Sequence, residues 1–411
     1  RKGGLSSRGK RFLAQLVYGT VRHKMLADHV LASRVHQSLG DLPAPILAIL
    51  RMGVFQALFC NQVTFPSMVH TSVDLAKKRG HAGTAKLVNA VLNRAPQSFE
   101  QVDLPDRESS FADFLSIRYS TPRWIVDRWI AEFGAADAER ICAASAEEAQ
   151  HTVRVNTLKT DREALIKTLA KAEIGAVPCA EVPDAVIVID GGGLARTKAH
   201  QNGLFYVQDP ASMLPSALLE PQAGERILDL CAAPGGKATH IAQLIGNNGF
   251  VVANDIHPEK FALIHENAEK LGVSCIHCVA SEGASPPFRA VFDRVLVDAP
   301  CTGFGTLRRH PEIKYRARPE EPARLAAEQT RLLRAAIHLC KNGGVVVYSV
   351  CTFTPEETMG VLDGVRGSES IELEDGPEWL DPWKIHQGTY RVLPGGGPLD
   401  GYFLTRLRKR S

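Results

Sequence analysis

Two cysteines fifty residues apart carry the clearest chemical signal in this chain: Cys301 in Asp298-Ala-Pro-Cys-Thr-Gly and Cys351 in Tyr348-Ser-Val-Cys-Thr. A thiol attacks as its thiolate, so a cysteine at an open strand end is a candidate for covalent chemistry. Each cysteine follows an apolar, β-branched run, Asp293-Arg-Val-Leu-Val and Val345-Val-Val-Tyr. Runs of this kind form buried strands of α/β sheets, whose chemistry gathers at the carboxyl ends of the strands. Two thiols on one rim point to sulfur chemistry rather than packing. The residue types alone leave open which thiol attacks, and what.

A second constellation lies upstream. Leu228-Asp-Leu-Cys-Ala-Ala-Pro-Gly-Gly-Lys237 ends one strand and opens a helix, so Cys231, Ala232, Ala233, Pro234, Gly235, Gly236 and Lys237 form a strand-to-helix turn. Its paired glycines allow a tight bend and close approach of a ligand. The helix N-terminus can receive the carboxylate of an amino-acid moiety, with Lys237 adding to the positive field. Nineteen residues beyond Gly236, Asp255 ends the next strand, where an acid accepts ribose hydroxyls. The turn lacks the P-loop pattern and departs from G-x-G-x-x-G, which argues against ATP and NAD.

The elements that must position these groups are legible in outline. Residues 5–95 read as a helical bundle, including a helix after Pro45, another after Pro66, and Thr84–Asn93. Pro96–Ser110 reads as a linker. Helical signals return over 111–148, with Thr121 as N-cap and Pro122 at the first helical position. A strand at Thr152–Asn156, a helix at Asp161–Lys171 and a strand at Ala185–Asp190 make a small α/β module, followed by Gly191-Gly-Gly as a turn. From 206 onward short apolar strands alternate with helices, which argues a Rossmann-like, parallel, doubly wound sheet. The domains expected are 1–110, 111–205 and 206–411.

Charge separates these parts. The net charge of +3 hides an N-terminal hundred residues with 14 Lys/Arg against 4 Asp/Glu. A basic block on a mildly acidic body suits a nucleic-acid grip. Arg308-Arg-His-Pro-Glu-Ile-Lys-Tyr-Arg, just after Cys301, is read as a second RNA contact through Arg308, Arg309 and His310. The nine cysteines have no disulfide-framework spacing, which suits reduced thiols in a cytoplasmic protein. Cys275-x-x-Cys278 lacks two further ligands, so strand packing is expected there rather than a metal. No apolar run reaches membrane-spanning length. The chain begins at Arg1, so residues upstream of it are expected in the full protein.

The motifs together resemble a known family. Cys231-Ala-Ala-Pro-Gly-Gly-Lys, Asp298-Ala-Pro-Cys-Thr-Gly, Arg309-His-Pro-Glu-Ile, and Tyr348-Ser-Val-Cys-Thr with Pro355-Glu-Glu are similar to the motifs of RsmB/Sun-type RNA cytosine-5 methyltransferases. Arg154-Val-Asn-Thr-Leu-Lys resembles the start of that family's intermediate RNA-binding region, and the bundle is similar to the NusB antitermination domain. The resemblance implies S-adenosylmethionine as cofactor and 16S rRNA as substrate, free or in a partly assembled subunit, with a monomer as the default. It implies attack by Cys351 on cytosine C6, with Cys301 helping product release. The Pro-Cys pair of DNA cytosine-5 methyltransferases would instead favour Cys301.

The resemblance also implies that Asp298 hydrogen-bonds the cytosine edge, protonated if it donates to N3, and that Arg154 contacts RNA. The adenosyl-contacting position falls at Glu282 in Ala280-Ser-Glu-Gly-Ala, where the family has an Asp. Thr354-Pro-Glu-Glu reads as a capping box that places Cys351 before a helix N-terminus. The other readings are the same reaction on tRNA, or an inert RNA-binding or antitermination factor.

Overall fold

The computed structural model describes residues 4–189, 193–395 and 397–410. Gly191 and Gly192 of the expected glycine turn, and Asp190 of the expected strand, lie outside the described residues. The chain divides into two compact units: residues 1–148 with 307–316, and residues 149–306 with 317–411.

The first unit is helical. It contains α1 (Ser7–Arg22), α2 (Lys24–Ala32), α3 (Ala44–Phe59), α4 (Phe65–Arg79), α5 (Ala82–Leu92), α6 (Phe111–Arg118) and α7 (Arg123–Ala146). Pro45 and Pro66 sit in the first turns of α3 and α4, where a missing N–H costs nothing. The α3 helix is apolar on most sides because it forms the centre of the bundle. Ile46, Ile49, Leu50 and Val54 pack with Leu31, Met68, Val88 and Leu92. The α7 N-cap is Pro122 rather than the expected Thr121, and Gly134 (φ 80°) kinks the helix.

The same unit takes in the segment 307–316, which the chain inserts between two strands of the other unit. This segment includes the single turn α13 (Ile313–Arg316). Lys314, 1% exposed, donates to the carbonyls of Arg22 (3.2 Å) and Tyr119 (3.3 Å). The Tyr315 hydroxyl donates to the Ser120 carbonyl at 3.1 Å. Arg22 Nη2 donates to the Arg308 carbonyl at 2.9 Å. Burial pushes the Lys314 ammonium down to about 7, with Arg22 adding to the fall and Cys142 opposing it.

The second unit begins with an antiparallel sheet, β1 (His151–Val155), β2 (Ala176–Pro178), β3 (Ala185–Val188) and β4 (Phe205–Val207), in the order β2-β3-β1-β4. Two helices accompany it, α8 (Arg162–Lys171) and α9 (Lys198–Gln201). After α10 (Leu214–Leu219) comes the large sheet. Its parallel strands are β5 (Arg226–Asp229), β6 (Phe250–Asp255), β7 (Ile276–Ala280), β8 (Phe292–Asp298) and β9 (Cys340–Val350). They are linked by α11 (Gly236–Leu244), α12 (Phe261–Leu271) and α14 (Glu321–Leu339). Beyond α15 (Met359–Val365), β10 (Ile371–Leu373), β11 (Lys384–His386), β12 (Thr389–Val392) and β13 (Tyr402–Lys409) complete it.

The order β11-β12-β13-β9-β8-β5-β6-β7 is parallel from β9 to β7 and antiparallel where β13 meets β9 and β12. The parallel, doubly wound sheet expected from the sequence is present from β9 to β7, and antiparallel strands extend it beyond β9. The β13 strand, apolar over residues 402–404 and charged at Arg406, Arg408 and Lys409, pairs antiparallel with both β9 and β12. Strand residues alternate between two cores, Ile227 and Leu296 toward α11 and α12, Leu228, Val295 and Val297 toward α14 and α15. The β5 strand has β6 on one side and β8 on the other, so the chain reverses direction of winding there. Such a switch point opens a crevice at the strand ends.

Candidate active site

The crevice holds a cavity of about 240 Å³, lined by the 231–234 turn, Gly236 and Lys237, with Tyr206, Gln208, Asp229 and Asp298 around it. Gly235 has φ +98°, and a Cβ there would lie 3.1 Å from Ile264 Cγ1. A Cβ on Gly236 would lie 3.2 Å from the Tyr206 ring. A side chain at either position would crowd the turn against its neighbours.

Asp229 ends β5 on the cavity wall. It is fully buried, and neither carboxyl oxygen meets a hydrogen-bond donor at ordinary geometry. Burial pushes its pKa up to about 7; Lys237 opposes, and Asp298 and Asp255 add to the rise. An orphaned acid in a cavity suits a ligand that brings a cation. Asp255 ends β6, its two oxygens accepting from the backbone N–H groups of Ala233 and His257, each at 3.0 Å. Each oxygen keeps a second lone pair for a hydroxyl. An orphaned acid, a glycine cradle and a second acid on the adjacent strand fit the amino-acid end and the ribose of S-adenosylmethionine.

Lys237 does not add to a free positive field, because its ammonium is engaged. Lys237 Nζ lies 2.6 Å from Asp298 Oδ2, while Asp298 Oδ1 accepts from Ser349 Oγ (2.8 Å) and the Tyr402 hydroxyl (2.9 Å). Burial lowers the Lys237 pKa, but Asp298 and Asp229 outweigh it and hold the pKa above the ordinary lysine value. An ammonium and two hydroxyls thus surround the Asp298 carboxyl oxygens.

The thiols meet. Cys301 Sγ and Cys351 Sγ are 3.2 Å apart, at the ends of the neighbouring strands β8 and β9. Cys301 is held well above the ordinary thiol range. The hydrogen bond to Cys351 is the largest cause, followed by burial and by the charges of Cys351, Glu357 and Asp298. The loops carrying the two thiols are tied by Glu357, which is fully buried. Glu357 accepts from Thr302 N (2.8 Å), Thr302 Oγ1 (2.6 Å), Thr354 Oγ1 (2.7 Å) and Gln329 Nε2 (3.1 Å). The Gly305 N–H donates to the Cys351 carbonyl at 2.9 Å.

The expected capping box is absent. Residues 355–358 form turns and α15 starts only at Met359, so Glu357 faces inward and Cys351 does not precede a helix N-terminus. Cys231 lines the cavity with its thiol pushed up, mainly by burial.

Other expected contacts fall elsewhere. Glu282 is 54% exposed and faces Arg331 at 3.7 Å rather than the cavity lining. Arg154 is 0% exposed; its guanidinium hydrogen-bonds within the protein, which corrects its expected contact with RNA. Arg308 is 5% exposed, Arg309 is half-buried and His310 is exposed. The RNA contact expected from this segment is therefore reduced, since Arg308 and Lys314 are buried. Ser349, Tyr402 and Asp229 were missed as individual site residues, though Ser349 and Asp229 lie inside the motifs themselves.

This sheet, with its glycine turn and cavity at the switch point, defines an α/β methyltransferase. The family model of the 16S rRNA methyltransferase RsmB/F matches residues 216–408, that of the NusB family residues 1–97, and that of the RsmF/B ferredoxin-like domain residues 121–193. A probable ribosomal RNA small subunit methyltransferase B of Bacillus subtilis is 35% identical over 99% of this chain and 92% of its own. The ribosomal RNA small subunit methyltransferase B of Thermus thermophilus is 35% identical over 100% and 91%. The crystal structure of PH0851 superposes with a TM-score of 0.82 at 27% identity, covering 97% of this chain and 90% of that one. The chain belongs to the ribosomal RNA small subunit methyltransferase B family. Among the described residues no helix is long and apolar enough to cross a membrane.

Proposed function

We propose that the protein methylates carbon 5 of a cytosine in 16S rRNA through a covalent Cys351 adduct. The observation that carries this reading is the 3.2 Å pair of thiols, one of them held protonated, beside the Lys237–Asp298 pair of the cavity wall. S-adenosylmethionine supplies the methyl group, as a positively charged sulfonium. Asp229 and the Gly235-Gly236 turn are the residues offered to its amino-acid end and Asp255 to its ribose.

Carbon 5 of cytosine is too weak a nucleophile to take a methyl group unaided. Addition of the Cys351 thiolate to C6 forms an S–C6 bond and sends the ring electrons to C5, which bonds the methyl carbon as the methyl–sulfonium bond breaks and S-adenosylhomocysteine leaves. Asp298, as a carboxylate, is suited to accept from the exocyclic amine of the base, and Lys237, Ser349 and Tyr402 hold it in place. The product forms when a base removes the C5 proton and the S–C6 bond breaks, returning its electron pair to Cys351.

The pKa causes at Cys301 supply that base at the right moment. The largest of them is the hydrogen bond to Cys351, and a further one is the charge of Cys351. Once Cys351 is a thioether both weaken, which eases transfer of the Cys301 proton to solvent and leaves a thiolate able to take the proton from C5. Burial keeps it a thiol at other times.

The target base must be unpaired or flipped, since C6 is inaccessible inside a helix. The basic NusB-like unit, the half-buried Arg309 and the exposed His310 are offered to RNA phosphates. Tritiated S-adenosylmethionine with bulk rRNA lacking the modification should label 5-methylcytosine. Label in tRNA alone would overturn the rRNA substrate, and label at another atom would overturn the cytosine C5 chemistry.

A further inference from the structure

The stretch Arg154-Val-Asn-Thr-Leu-Lys159 runs along a seam between the small antiparallel sheet and the helices of the large one. Asn156 Nδ2 donates to the carbonyls of Gly203 (2.7 Å) and Leu271 (2.8 Å). Lys159 Nζ donates to the carbonyls of Lys270 (2.7 Å) and Asn202 (2.9 Å). Arg154 reaches furthest. Its guanidinium donates to the Gly236 carbonyl (2.6 Å), Thr239 Oγ1 (3.0 Å), Gln243 Oε1 (3.3 Å) and Gln208 Oε1.

Every one of these acceptors is neutral. A buried guanidinium so placed keeps its charge, because burial lowers its pKa only to about 10, with Tyr206 and Asp184 opposing. Its field is little screened by solvent. The charge sits under the first turn of α11, whose free N–H groups already favour an anion. Two of its neighbours are cavity walls: Gln208, whose Nε2 donates to the Ser212 carbonyl at 3.1 Å, and Tyr206, whose ring is 5.2 Å from the guanidinium carbon.

We infer that Arg154 is a positioning residue for the cofactor, contributed by the small antiparallel sheet to the active site of the large one. It fixes the Gly236 carbonyl and the Gln208 amide, and adds its charge to the α11 N-terminus where the carboxylate of S-adenosylmethionine would bind. This rests on the cofactor reading above and is independent of which RNA is methylated. The consequence is that this sheet serves the cofactor as well as any RNA it touches.

The test compares Arg154→Met and Arg154→Lys with Lys159→Met, which cuts the same seam away from the glycine turn. S-adenosylhomocysteine binding is measured by calorimetry, KM for S-adenosylmethionine and for RNA by methyl transfer, and folding by thermal melting. Arg154→Met should weaken S-adenosylhomocysteine and raise the KM for S-adenosylmethionine at least tenfold, the loss expected for charge-assisted hydrogen bonds. The KM for RNA and its salt slope should stay unchanged, and Arg154→Lys should recover part of the affinity. Lys159→Met should lower the melting temperature with cofactor affinity within twofold of wild type.

Equal loss of cofactor affinity in the Arg154→Met and Lys159→Met variants would reduce Arg154 to a seam residue and overturn the inference. So would a flattened salt slope for RNA with cofactor binding intact. Should Arg154→Met fail to fold, the Arg154→Lys titration decides alone, and wild-type affinity there overturns the inference. Wild-type protein that binds no S-adenosylhomocysteine would instead strike the cofactor reading itself.

Discussion

Glu357 holds Thr302 twice, accepting from its backbone N–H at 2.8 Å and its hydroxyl at 2.6 Å, and so fastens the residue after Cys301 to the loop after Cys351. A buried carboxylate with four donors is a rigid pin, and the 3.2 Å separation of the thiols depends on it. Replacement of Glu357 with Gln exchanges one accepting oxygen for a donor and sets it against Thr302 or Thr354. Stability should fall by about 1–3 kcal/mol. Turnover should fall at least tenfold while S-adenosylhomocysteine affinity holds. Thermal melting and single-turnover kinetics check both; unchanged turnover would show that the thiols keep their spacing without the pin.

The division of labour between the thiols can be read on a denaturing gel. Cys301→Ser should leave addition intact and slow elimination, so a protein–RNA adduct accumulates in the presence of S-adenosylmethionine. Cys351→Ser should show neither adduct nor turnover. An adduct trapped by Cys351→Ala would reverse the two roles.

The buried acid of the cavity gives a pH dependence with a definite sign. The Asp229 pKa is raised from 3.8 to about 7 in the folded protein. Its contribution to stability is therefore fully present below pH 3.8 and lost as pH rises through about 7. A ligand carrying an ammonium group reverses the preference, because it binds the ionised form. Affinity for S-adenosylhomocysteine should rise between pH 6 and 8, and Asp229→Asn should flatten that rise. Calorimetry across the pH series reads it directly.

Lys314 has the opposite sign. Its folded pKa is depressed from 10.5 to about 7, so the stability it contributes is present above pH 10.5 and lost as pH falls through 7. Near neutral pH the chain holds a partly charged ammonium in an apolar place. Lys314→Met should raise the melting temperature at pH 7 and remove the gain otherwise seen between pH 7 and 10. A lower melting temperature would mean that its two carbonyl contacts outweigh the burial.

Within the segment after Cys301, neighbouring arginines should behave differently. Arg309→Ala should lower the slope of log affinity against log salt for RNA by about 1. Arg308, 5% exposed, should cost melting temperature instead and leave the slope alone. The reverse pattern in filter binding would remove Arg309 from the RNA interface.

Sequence patterns carried far where the chemistry is local. The thiol strands, the glycine turn and the helices of the first unit follow from apolar runs, paired glycines and prolines at helix starts, and the structure has them. The reading failed where a side chain's job is decided by a distant partner. Thr354-Pro-Glu-Glu has the residues of a capping box, but Glu357 finds better donors on Thr302 and Gln329 than an exposed backbone end would offer. Arg154 was placed on RNA by the family resemblance alone; its acceptors lie 54 to 89 residues along the chain. The antiparallel β13 was overlooked because its apolar start, residues 402–404, is short and runs into the charges of Arg406, Arg408 and Lys409.

The insertion of residues 307–316 into the helical unit bears on how the polypeptide is made. Arg22, Tyr119 and Ser120 offer carbonyls to Lys314 and Tyr315, nearly two hundred residues or more further on. During synthesis the N-terminal bundle emerges early, but its last side chains arrive only after four of the methyltransferase sheet's nine strands have left the ribosome. The two units cannot be finished one after the other, and a truncation at residue 148 would leave the bundle short of a piece of its own interior.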